Sequence, residues 1–125
     1  MKLILAGLFL LAVGTHAKCC NFRNFPKEAV QGAGDMARAY RDMREANFKN
    51  SDKFFHATGN SDAAKRGPGG RFIARVISDG REIVQTITRR GNEDSAADQE
   101  ANRWGRNGGD PDIYRPKGLP SKYGR

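Results

Sequence analysis

The chain has 125 residues, one domain's worth, and its 22 Lys plus Arg against 14 Asp plus Glu give a net charge of +8, which favours an acidic partner: a polyanionic glycan, an anionic lipid surface or nucleic acid. Two adjacent cysteines, Cys19 and Cys20, supply no internal staple. Of the two histidines one falls within the first 17 residues, which excludes a His-based triad and a multi-His metal site.

Lys2, an apolar run from Leu3 to Val13 and small residues ending at Ala17 read as a secretory signal peptide over residues 1–17. Thr15 and Ala17 suit the minus-three and minus-one positions, so cleavage is expected after Ala17, leaving a single helical domain over 18–125. A membrane anchor is the competing reading, but a span needs roughly 20 apolar residues. This run has 11. Loss of Lys2 leaves a net charge of +7. An exported protein meets glycans and lipid surfaces rather than nucleic acid, so no nucleic-acid partner is expected. Cys19 and Cys20, near the new N-terminus, are either incidental thiols on a frayed end or are capped or paired with another molecule. There is no Asn-x-Ser/Thr sequon.

Apolar residues at Phe25, Ala29, Ala33, Met36, Tyr40 and Met43 recur in steps of three and four, which predicts a helix over 24–47. Asn24 stands as its cap and Pro26 lies in its first turn. A second helix is expected over 51–66, with Ser51 as N-cap, Asp52 in the first turn and Lys65-Arg66 in the last, where cations suit the helix dipole. Its apolar content is thin, and Gly59-Asn60 weakens its middle. Gly67-Pro68-Gly69-Gly70 then imposes a stop and a turn.

The third segment, "RFIARVISDGREIVQTITRR", has two readings. Asp79-Gly80 is a hairpin-turn dipeptide between β-branched residues. Wound as a helix, Phe72, Ile73, Val76, Ile77, Ile83, Val84 and Ile87 all fall within an arc of roughly 140°, together with Gly80. A hairpin would scatter them over both faces, so a helix over 70–89 is expected. A fourth helix is expected over 92–105, capped by Asn92, with Glu93 and Asp94 near its positive end and Ala97, Ala101 and Trp104 on one face. The remainder, 107–125, holds three prolines and four glycines and is an extended tail. Ile113, Tyr114, Leu119 and Tyr123 give it side chains with which to dock. The fold class is therefore all-α, a four-helix bundle with an extended Pro/Gly-rich tail packed on the helices.

Catalysis is not expected, and neither is a cofactor. Asp35, Asp42 and Glu45 fall opposite or beside the first helix's apolar stripe, where solvated charges belong. The Gly67–Gly70 cluster lacks the Gly-Lys-Ser/Thr ending of a phosphate-binding loop, and "GNEDSAAD" lacks EF-hand spacing. His56 reads as a surface or satisfied histidine, with pH sensing as the alternative. The apolar faces carry more information. The first and third helices are rich in large apolar residues, while the second and fourth offer mostly alanine, two Phe and one Trp. Either the four close a core of their own, or the two rich faces leave surface for a lipid, a ligand or sister subunits. Arg23, Lys27, Arg38 and Arg41 flank one side of the first stripe, where cationic stems can lie along acyl chains with their heads on phosphate.

Two blocks, "DMARAYRDMREANFKNSDKFFHATGNSDAAKRGPGG" (35–70) and "ADQEANRWGRNGGDPDIYRPKGLPSKY" (97–123), resemble the serum amyloid A family, and the likeness covers nearly the whole mature chain. The resemblance implies a secreted, extracellular acute-phase apolipoprotein of high-density lipoprotein that binds phospholipid, self-associates when free of lipid, and is not an enzyme. It further implies retinol carriage in an oligomer cavity, heparan sulfate binding, cell-surface receptors, innate defence and conversion to amyloid. Carried over by position, the lipid-facing set is Phe22, Phe25, Met36, Tyr40, Met43, Phe72, Ile73, Val76, Ile77, Ile83, Val84 and Ile87, and the glycan-binding set is Arg38, Lys65, Arg66 and Arg81. The chain departs from the family pattern at Arg71, Arg75 and Gly80, at Pro26, and at Cys19-Cys20. The rival reading is a cationic innate-immune signalling or antimicrobial ligand.

Overall fold

A computed structural model of the chain describes residues 22–88 and 92–124, which form four α-helices and two short 3-10 turns, with no strand among the described residues. The expected leader 1–17 and the Cys19-Cys20 pair lie outside the described residues. Helices α1 (Phe25–Ala46), α2 (Asp52–Lys65), α3 (Pro68–Ile87) and α4 (Asn92–Arg106) follow the four expected segments with shifts of one or two residues. Asp79-Gly80 runs through the interior of α3, so the hairpin alternative is not formed.

The caps differ from expectation. Asn24 precedes α1 without a side-chain cap bond, and α1 closes instead at its far end, where Asn47 turns left-handed (φ 41°) and its N–H reaches the Met43 carbonyl at 3.1 Å. Ser51 is buried, and its hydroxyl donates back to the Phe48 carbonyl at 2.6 Å rather than forward into α2. Helix α3 starts at Pro68, so Gly69 and Gly70 are helical and not a loop. The Gly69 N–H is served from a neighbouring helix: Glu28 of α1 is buried against the Gly67 turn and accepts from it at 3.2 Å.

Helix α2, the thinnest in large apolar residues, is the centre of the bundle. It packs against α1, α3, α4 and the Pro111–Tyr114 turn, and buries Phe54, Phe55, His56, Ala57, Gly59, Asn60, Ser61 and Ala63. Small residues make this possible. A Cβ on Gly59 would lie 2.8 Å from the Ala39 Cβ, and one on Gly32 would lie 2.8 Å from the Gly70 Cα. Gly59, read from sequence as a weak point, is where α1 and α2 approach.

The apolar interior has two parts. Met36, Ala63 and Ala74, with Tyr40 and Ile77 beside them, fill the space between α1, α2 and α3. Phe54 and Phe55 form the other with Leu119 and Tyr123 of the tail, which is laid across the helices. Arg115 holds that tail in its bend, donating to the carbonyls of Tyr123 (2.6 Å) and Pro120 (3.0 Å) with its guanidinium over the Phe54 ring. Glu45 of α1 then accepts from the Tyr123 hydroxyl at 2.9 Å and from Lys122 at 2.8 Å.

Asp35 ties α1 to the end of α2. Its carboxylate takes Arg66 Nε at 2.8 Å and Arg38 Nη2 at 2.6 Å. Burial works to raise its pKa, but the Arg66 and Arg38 guanidiniums outweigh burial and hold it below its ordinary value of 3.8. A depressed folded pKa contributes stability above the unfolded value and loses it as pH falls through the lower folded one. Asp35→Asn is expected to melt a few degrees below the parent at pH 7. The gap should narrow as pH drops below about 4, which thermal unfolding at a series of pH values would show; a gap independent of pH would contradict the pairing.

Candidate functional site

The inward face of α3 is Gly70, Ala74, Ser78 and Glu82, four residues apart, all of them buried and none of them a large apolar side chain. The interior opposite them is occupied by α2 and α4 at close range, leaving no room for bulk. The large residues of α3 are therefore turned outward: Phe72 is 54% exposed, Val76 48%, Ile83 61%, Val84 59% and Ile87 75%. Leaving each of these about half uncovered or more forgoes about 1 kcal/mol per side chain. Phe72 carries the face across to α1, where its ring meets that of Phe25 at 5.6 Å, and Phe22 just before α1 is exposed as well. Gly80 lies on the same outward face with open space around it.

The residues carried over as lipid-facing divide three ways. Phe22, Phe72, Val76, Ile83, Val84 and Ile87 are exposed. Phe25, Tyr40, Met43, Ile73 and Ile77 are partly buried: Met43 leans on the Phe54–Phe55–tail cluster, Tyr40 and Ile77 on the Met36 cluster, and Ile73 lies against Gly32. Met36 is 1% exposed and lies in the core. The physical reason is general to α1. Its stripe packs on α2, α3 and the tail, so of the two rich helices only α3 keeps a broad apolar face outside.

The four cations assigned to glycan do not form one patch. Arg38 and Arg66 share Asp35, Lys65 lines the same cleft as Arg38, and Asp62 is 4.0 Å from Arg38. Arg81 lies elsewhere, over the Tyr40 ring at 4.6 Å and 2.9 Å from His56 Nε2, in a cleft with Arg41 and Arg44.

Sequence reasoning missed the polar interior. Asn60, fully buried, donates to the His56 carbonyl (2.9 Å) and to Asn102 Oδ1 (2.9 Å), and its own Oδ1 accepts from Arg106 Nη1 at 3.0 Å and from the Ser78 hydroxyl at 3.2 Å. His56, also buried, lies between Arg81, Asp98 (3.4 Å) and the edge of Tyr40. A signal for this was present: Gly70, Ala74 and Ser78 recur every four residues on α3 directly opposite its apolar arc. Among the described residues no helix is long and apolar enough to cross a membrane, and no three His, Cys, Asp or Glu side chains are grouped to hold a metal.

Residues 23–123 match the family model described as serum amyloid A protein. The chain is 69% identical to the serum amyloid A-1 protein of Mesocricetus auratus over 124 residues, and 67% identical to that of Mus musculus over 125. It is 60% identical to the serum amyloid A-3 protein of Oryctolagus cuniculus over 124 residues. Each alignment covers 98% of this chain and the whole of the relative.

Proposed function

The chain belongs to the serum amyloid A family, and from that premise we propose that it is a secreted acute-phase apolipoprotein that binds phospholipid, including the surface of high-density lipoprotein, through the outward face of α3 and the start of α1. One observation carries the reading: α3 turns small and polar residues inward and leaves Phe72, Val76, Ile83, Val84 and Ile87 in water. An amphipathic helix of this kind lies in the headgroup region with its apolar face sunk about 5–10 Å toward the acyl chains. The chain acts by binding, with no bond made or broken. Retinol, if carried, fits an enclosure between copies, because the cleft beside Phe54 and Phe55 in the single chain is walled by Asp35, Asp42, Asp62, Lys65 and Lys122.

Vesicle flotation tests the proposal. The mature protein should float with phosphatidylcholine vesicles, and Val76→Asp should weaken that binding by about tenfold or more by placing a carboxylate in the apolar face. Lys117→Ala, on the exposed tail, serves as the control and should leave flotation unchanged. Failure to float, or equal loss in both variants, would refute the assigned face.

A further inference from the structure

A second feature borders the same apolar face. On α3, Arg71 and Arg75 directly precede the exposed Phe72 and Val76 and project along the edge that faces α4. Arg71 reaches across to the end of α4, donating to the Arg106 carbonyl at 3.2 Å and to Asn107 Oδ1 at 2.7 Å. Arg75 is 74% exposed. Arg103 of α4 is exposed close by, and Arg106 lies beneath. The four guanidiniums are near enough to act on one another: Arg106 is lowered from its ordinary value first by burial and, against the opposing charge of Asp79, by the charges of Arg75, Arg71 and Arg103. The acids facing them are Asp79, 3.7 Å from Arg75 Nε and also taken by Gln99, and Glu100 in the cleft beside Arg103. Among the described residues the positive charge of the edge is therefore only partly answered.

We propose that Arg71 and Arg75, backed by Arg103, form a headgroup-binding rim that gives this chain a preference for leaflets carrying anionic phospholipid. The inference rests on the lipid-binding reading above and adds a specificity to it. A guanidinium beside an exposed apolar side chain can lay its stem on the acyl region and place its charge at phosphate depth. A sulfated glycan would answer the charge but would leave Phe72 and Val76 in water, so the interleaving of the two residue types favours lipid.

The test compares vesicles of phosphatidylcholine alone with vesicles holding a third phosphatidylserine. The parent should bind both, with the anionic ones at least about 25-fold tighter at low salt and the difference shrinking at high salt. At about fivefold per cation near an anionic surface, Arg71→Gln with Arg75→Gln should remove about 25-fold of the anionic binding and leave phosphatidylcholine binding unchanged. Because Arg71 also holds the end of α4, Arg75→Gln alone is the second variant; it touches only an exposed pair and should lose about fivefold. Equal binding of the parent to both vesicles would overturn this inference and leave the lipid-binding reading standing, whereas no binding to either would overturn both. An unchanged lipid preference in the variants, with earlier elution from a heparin column, would reassign the rim to glycan and also overturn it.

Discussion

Gly105→Ala is expected to destabilise the bundle by about 2–4 kcal/mol, seen as a lower urea midpoint with an unchanged slope. A Cβ at Gly105 would overlap the Ala57 carbonyl oxygen, with the Ala57 Cα only 3.1 Å away. The obstruction is helix backbone, so nothing can rotate aside and α4 must move off α2. That movement loosens the helix pair with the most extensive packing in the molecule. Alanine's better helix propensity returns only about 1 kcal/mol. Gly80→Ala is the matched contrast, because a Cβ there meets nothing within 4 Å and Gly80 lies inside α3. It should gain about 0.5–1 kcal/mol. If the two glycine variants shift the midpoint in the same direction, the close approach of α2 and α4 is wrong.

This pair of glycines also marks how far the sequence can be read. Helix existence was legible at all four segments, because apolar spacing, Asp52 and Lys65-Arg66 at the ends of α2, and the Gly/Pro run at the start of α3 are local signals. The arc of α3 was legible as an arc, and the imbalance between rich and poor helices pointed to apolar surface left outside, but the reason it is left outside was not legible. The usual expectation turns a helix's apolar face to the core, and α3 does the reverse because Gly70, Ala74 and Ser78 let α1, α2 and α4 come close on the other side. The weight given to α2 erred for the same reason. Counting large apolar side chains ranked it poor, whereas its glycine, alanine and asparagine positions make it the helix around which the others close. Gly105 is the last residue of the expected fourth helix and is helical, one residue before the end of α4. What a glycine does, ending a helix or admitting a neighbour, depends on a partner distant in sequence. Met36 shows the same limit: the register places it on the stripe of α1 but cannot say that α1 turns much of that stripe inside.

The buried polar cluster explains why the bundle tolerates so much apolar residue outside. Asn60 has no exposed surface and joins α2 to α3 and α4 through Ser78, Asn102 and Arg106. Polar groups hold these positions where a packed aliphatic core would otherwise draw α3's large side chains inward. Asn60→Ala removes the acceptor for a buried guanidinium and the donor to Asn102 at once, and the groups left behind cannot reach water. The expected cost is about 3 kcal/mol, since orphaned buried partners carry the desolvation penalty in full. Asn102 also donates to Gln99 Oε1 at 3.0 Å, so its own truncation strands a second partner. The two sites should be strongly non-additive: the Asn60→Ala/Asn102→Ala double variant should lose at least 1 kcal/mol less than the sum of the single losses. Strict additivity in a urea-denaturation cycle would mean that the two amides do not share a bond. A partly loosened Asn60→Ala protein that binds phospholipid vesicles less tightly would tie the polar interior to the outward face, since that face exists only while α3 is held by its small side.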